Sequence, residues 1–561
     1  NAMLLDANSR ISLSNNDSNT GNTVFGYSAF NTSSDNASDY NTVFGYDAMG
    51  TGSVAGATYN TCIGYRAGDD ITAGDKSVYV GAWAGDASAD VDNATAIGYA
   101  AMGSGTSDSG ADGTVAIGYY ALNALTSGAR NLAIGHQAAD SLTTSSDNIA
   151  MGYQALQTAS TNISANIAIG NYALDGLTAG QTVTGNTAVG YNSLTDLTTA
   201  DENVCIGSNT GANITDGGFN TFLGTTAGNV TTSVTESVLI GVNAGANGDI
   251  TNDAIGSVGI GSQALLSLTS GQGNVAIGYQ ALDAEDDGDF NTAVGHQALT
   301  AQTGISGTVA NTAVGYGAAT AITTGIKNTA IGYNALYRAT TQADHNTAIG
   351  YNAMSGNWST AAVTDCVAIG QGALQGTLTA DADATTAIGS GALKSLTSGQ
   401  GNVAVGADAL DAEDDGDYNT AVGYQALTAQ TGTSGTVSNT AVGYQAGVAI
   451  TKGRYNTIIG KGALKVEDVG DETTAVGVDA LGSQNSDSDN EITGNVGVGK
   501  DTGYYNVTGQ NNTWVGYKAG AGASGQSNSN NTGIGKDALL SITTGSENVI
   551  VGQLAGDAIT D

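Results

Sequence analysis

The chain of 561 residues has no proline, three cysteines, 14 Lys and Arg together, and a charged fraction of only 12%. Each shortage excludes something. A composition so poor in charge and proline, with 84 glycines, describes no ordinary globular domain. Cys62, Cys205 and Cys366 stand far apart, each within a repeated strand, so a disulfide framework is not expected. The few basic residues face 51 acidic ones, for a net charge of -37, which repels a phosphate backbone and argues against nucleic acid as a partner. Apolar runs are short, so no transmembrane helix and no membrane insertion are expected. The N-terminus lacks the regions of a signal peptide. Asn1 and Ala2, before Met3, read as a tag remnant.

What the chain does contain is repetition. "NTAVGYQALTAQTGTSGTVSNTAVGYQAG", from Asn419 to Gly447, says nearly the same thing twice. Aligned on the glycine of NTAVG there are thirty copies, from Gly26 to Gly552, most often 17 residues apart and next most often 20. Variable length in one place marks a surface loop. A larger block beginning at Ser267 returns almost unchanged at Ser395, which lengthens a stacked array without disturbing it.

The columns around the glycine predict a strand. One residue before it stands an apolar side chain, as at Phe25, Ile63, Ile277 and Val422, and three before it a β-branched one in nearly every copy. This spacing by two predicts that these columns face a core. The residue two before the glycine is usually Ala and otherwise apolar, which predicts a second covered face. Ala96, Phe222, Ala276, Ala313, Ala421 and Trp514 are the expected oligomer interface on that face. Asn stands four before the glycine in twenty-two copies, including Asn41, Asn186 and Asn439, and predicts a ladder of stacked amides. Tyr follows the glycine in many copies. Segments such as "YQALTAQ" are too short and too often broken by Gly for helices. The fold expected is all-β, a parallel β-solenoid or β-roll of about thirty coils with a period of 17–20 residues, in which residues 1–21 are a tag remnant and capping segment and 22–561 one continuous solenoid.

The unit N-T-A-[VI]-G-Y-x-A-L followed by a Thr/Gly-rich loop resembles the repeat of phage and prophage tail-fibre proteins. More distantly it is similar to the N-S-x-A-I-G repeats of trimeric autotransporter adhesin heads. The resemblance covers about Asn22 to Gly556 and implies a homotrimeric fibre of a virus particle that contributes to host attachment. It departs from those proteins in showing no chaperone domain, no heptad stalk and no membrane anchor.

Candidate sites are sparse. The loops "DAEDDGD" place Asp283, Glu285, Asp287 and Asp289, and again Asp411, Glu413, Asp415 and Asp417, in an order like the first half of a calcium loop, so calcium is the one cofactor considered. Val294 and Val422 stand where the bidentate Glu would be, which favours a solvated acidic loop. Aromatic residues outside the columns, Trp83, Tyr337, Trp358, Tyr504 and Tyr505, with Arg338 as a donor, are the candidates for contact with a glycan or receptor. His136 and His296 occupy the Tyr column and read as column members. No Ser, Cys or His grouping suggests a nucleophile, so no enzymatic activity is expected.

Three roles compete. A viral fibre shaft predicts self-association and a host cell-surface receptor or glycan as partner, with the virion as location. A bacterial trimeric surface adhesin predicts an extracellular or cell-surface location and a secretion signal in the gene. A monomeric ice- or lattice-binding solenoid predicts one uniform flat face, which Phe222 and Trp514 interrupt.

Overall fold

A computed structural model describes residues 9–12, 19–30, 37–158, 161–177, 180–303, 306–339, 342–358, 362–432 and 435–561. The chain divides into two compact units, Asn1–Ala276 and Ile277–Asp561. Both are built alike. A three-residue strand such as Thr187–Val189 in the first unit or Thr312–Val314 in the second ends just before the repeat glycine. Each strand pairs in parallel with its equivalent one coil further on, column against column: Ala188 opposite Cys205, Ala313 opposite Ala330. This is an all-β parallel β-solenoid of about 30 turns with a period near 17 residues. The helical content among the described residues is three short 3-10 turns, at Ser109–Ala111, Asn252–Ala254 and Ala380–Ala382. No helix among them is long and apolar enough to cross a membrane. Strand Ser9–Ser12 runs antiparallel along Thr23–Tyr27 and covers the edge of the first coil, while the remainder of segment 1–18 lies outside the described residues.

The repeat glycine is a conformational requirement. Gly295 has φ +142°, a region closed to L side chains, and a Cβ there would lie 2.2 Å from the carbonyl oxygen of Gly315 one coil on. The strand ends there because the backbone turns there.

The amide ladder forms as the Asn column predicts. In the first unit the Asn203 N–H donates to Asn186 Oδ1 at 2.9 Å and the Asn220 N–H to Asn203 Oδ1 at 3.1 Å, while Asn186 Nδ2 donates to the Ala200 carbonyl at 2.9 Å. The second unit repeats this through Asn291, Asn311 and Asn328. Each buried carboxamide thus satisfies backbone groups that no strand partner reaches.

The two strand faces are the reverse of the expectation. The column two before the glycine points into the coil: Ala96, Phe222, Ala276, Ala313, Ala421 and Trp514 are each 0% exposed within a single chain, so none of them is available to another subunit. The columns one and three before the glycine face outward instead. The interior is narrow, bounded opposite the strand by the Ala and Leu that follow the glycine, such as Ala298 and Leu299, and this is why Ala dominates the inward column.

Where the inward residue is large, the opposite wall gives way. A Cβ on Gly228 would lie 2.4 Å from Phe222, one on Gly85 2.3 Å from Tyr79, and one on Gly520 2.2 Å from Trp514. Glycine replaces Leu at those positions because the ring already fills the space. Cys62 and Cys205 lie in strands as expected, whereas Cys366 stands in the Asn column just before its strand, its N–H donating to Asn346 Oδ1; all three are buried and free, and burial raises all three thiols, Cys366 to about 12.

Candidate functional site

The strand geometry creates an outward sheet face in both units. Its first row is apolar and mostly aliphatic, exposed at Phe44, Ile63 and Leu223 in the first unit and at Ile331, Val442 and Ile459 in the second. Beside it runs an aromatic row. Tyr119, His136 and Tyr153 stack at 4.8 and 5.3 Å between centroids in the first unit, and His296, Tyr316, Tyr333 and Tyr351 at 5.0, 5.1 and 5.3 Å in the second. Both histidines are therefore members of the ring stack. Among the described residues of each unit these rows form a partly exposed apolar band along the coil axis.

The acidic loops are arranged differently from an alternating set of ligands. Glu285 turns into the coil, fully buried, and its Oε1 accepts from the N–H of Gly288 at 2.7 Å and of Asp286 at 3.1 Å. Glu413 repeats this with Gly416 at 2.8 Å and Asp414 at 3.1 Å, and its other oxygen accepts from Gln430 Nε2. Glu467, which the sequence pattern did not single out, does the same with Gly470 at 2.8 Å and Ser486 Oγ at 3.0 Å. Asp411 and Asp417 accept from Thr428 Oγ1 and the Gln400 N–H, at 2.5 and 3.0 Å. The carboxylates that approach one another within 4.8 Å are Glu285, Asp286 and Asp287, and Glu413, Asp414 and Asp415; Asp283 and Asp289 are not in the first set. Burial pushes Glu285 up to about 7 and raises Glu413, with the Gly N–H groups opposing the shift. The Glu of this motif ties down a coil corner.

The aromatic candidates separate. Trp358 is buried, 2% exposed, and is not a surface residue. Trp83 continues the ring row of the first unit, edge-on to Tyr65 at 5.4 Å and to Tyr99 at 5.1 Å. Tyr337 carries the Arg338 guanidinium 6.0 Å from its ring centroid. Tyr504 and Tyr505 are brought together, edge to face at 4.8 Å, and line a cleft of about 670 Å³ in the second unit.

That cleft arises from missing side chains. Tyr504–Tyr505, Ala521–Gly522 and Leu540–Ser541 occupy the same two places in three successive coils. The Tyr505 N–H donates to the Ala521 carbonyl at 2.9 Å and the Gly522 N–H to the Leu540 carbonyl at 3.0 Å. The middle coil therefore forms a floor of Ala and Gly between two taller walls. Gly522 has φ +69°, and a Cβ there would lie 2.8 Å from the Ile542 carbonyl oxygen, so the notch is enforced by the backbone. Tyr504 is held from behind: Lys465 Nζ donates to its hydroxyl at 3.2 Å and to Asp479 Oδ1 at 3.1 Å. The ring lies over Gly482, where a Cβ would come within 2.8 Å of it. Asp479, Asp501 and Lys518 complete the polar rim. In the sequence the run "KAGAGASG" puts Ala521 and Gly522 where the next coil has Leu540 and Ser541.

No family model matches the chain, and no curated protein matches it.

Proposed function

We propose that the protein is a non-enzymatic structural and adhesive fibre component of a virus particle, a tail-fibre shaft that associates with copies of itself and contributes to host attachment. The observation that carries this is the exposed aliphatic and aromatic face on each unit. A stripe of Val, Ile, Leu, Phe and Tyr repeated coil after coil is what a second and third copy of the same sheet would cover, because identical columns meet in register along their whole length. The likeness of the N-T-A-[VI]-G-Y-x-A-L unit to tail-fibre repeats supports the trimer and the virion as its place. Self-association through this face differs from the arrangement expected from sequence: the small Ala column belongs to the coil interior, and the bulky columns are the ones offered to a partner.

The test is the absolute mass of the purified chain by light scattering, at low and high salt. A mass three times the 55.4 kDa of one chain is the expected outcome. A single-chain mass in both salts would overturn the shaft and leave the face free for a repeating lattice.

A further inference from the structure

We propose that the cleft beside Tyr504 and Tyr505 is a binding site for a neutral saccharide, with one sugar ring seated in the notch over Ala521 and Gly522. Its width follows from the coil spacing. The walls stand two coils apart, roughly 10 Å between backbones, with Tyr504 and Leu540 in one row of the cleft and Tyr505 and Ser541 in the next. The volume of about 670 Å³ falls in the range of small-ligand sites.

The lining matches a sugar in kind. A hexose has an apolar C–H face and a rim of hydroxyls. Tyr505, 39% exposed, offers an aromatic face, and Leu540, two coils on from Tyr504, an aliphatic one. Asp479 and Asp501 are acceptors for hydroxyl donors, Ser541 both gives and receives, and Lys518 donates. The ion pair from Lys465 to Asp479 and the same amine's bond to Tyr504 fix both groups before a ligand arrives, which lowers the ordering cost of binding. Charge selects within the class. Two carboxylates at the rim of a chain of net charge -37 disfavour an acidic sugar and tolerate a neutral one.

The site lies within one unit of one chain and goes beyond the shaft proposal, since it stands whether or not chains associate. It is tested by saturation-transfer NMR on the full chain with lactose, maltose, cellobiose and N,N′-diacetylchitobiose, and with sialyllactose as an acidic counterpart. Two variants accompany the wild type: Tyr505→Ala removes the stacking face, and Ala523→Trp plugs the cleft from an exposed position. Light scattering and thermal melting of each show that fold and assembly are kept. The expected result is transfer to at least one neutral disaccharide, its loss in both variants, and none to sialyllactose. Silence from all four neutral sugars, a signal that survives in a folded variant, or transfer to sialyllactose overturns the proposal. Should Tyr505→Ala not fold, Ala523→Trp alone decides, because that side chain is exposed.

Discussion

Ala441 and Val442 are neighbours in one strand with opposite surroundings: Ala441 is sealed inside its coil, and Val442 is 37% exposed on the outer face. A glutamate tests each. Ala441→Glu buries an unpaired charge and is expected to cost several kcal/mol and unfold neighbouring coils. Val442→Glu leaves the coil intact, with a loss of about 0.5 kcal/mol or less in the isolated chain. Thermal melting followed by circular dichroism distinguishes them. Gly295→Ala should be far worse than an ordinary Gly→Ala change. Strained φ alone costs about 1–3 kcal/mol, and the new methyl meets the Gly315 carbonyl as well, so a fall in melting temperature is expected even though Ala is the better former of regular structure. A melting temperature equal to wild type would show that the glycine ladder is not conformationally required.

At the scale of the coil, period, strand, amide ladder and ring stack were legible because each is a column that one residue type dominates. The facing of the strand was not. Both faces are apolar, and the rule that large residues go inside misleads in a coil whose interior is already filled in most repeats by the Leu of the opposite wall. The discriminating signal lay elsewhere in the repeat, where Gly replaces Leu opposite Cys62, Tyr79, Phe222 and Trp514, at Gly68, Gly85, Gly228 and Gly520. Such pairing across the interior says which side chains meet. Tyr504 and Tyr505 stood out as aromatics off the columns, but their cleft depends on what the next coil lacks, which no motif search registers. The acidic loops show the same limit: the spacing displayed the carboxylates without telling that Glu285 turns inward. That inward turn has a measurable result. Its pKa is raised, so the folded chain holds a proton there that the unfolded chain, with the ordinary value of 4.5, has released. The contribution to stability is therefore full below 4.5, falls as pH rises through about 7, and is level above. Wild type should melt higher at about pH 5 than at about pH 8, and Glu285→Gln should narrow that difference. An unchanged difference in the variant would place the pH dependence in other groups.

For the whole molecule, stability and the proposed association would rest on different faces of the same strands. The inward column and the Asn ladder hold each coil to the next within a chain. The outward column is the surface on which copies of the chain would meet, and charge works against that meeting, since every copy brings a net charge of -37. Burying the aliphatic and aromatic rows has to outweigh this repulsion, so assembly should be more sensitive to the outer column than folding is. The most direct measurement is the light-scattering mass of the Ile331→Glu, Val442→Glu, Ile459→Glu triple variant beside wild type, with circular dichroism on both. The expected result is an unchanged β spectrum and a mass reduced to one chain while wild type holds three. A variant that keeps three chains with its fold intact would contradict the outer sheet face as the place where copies of this protein meet.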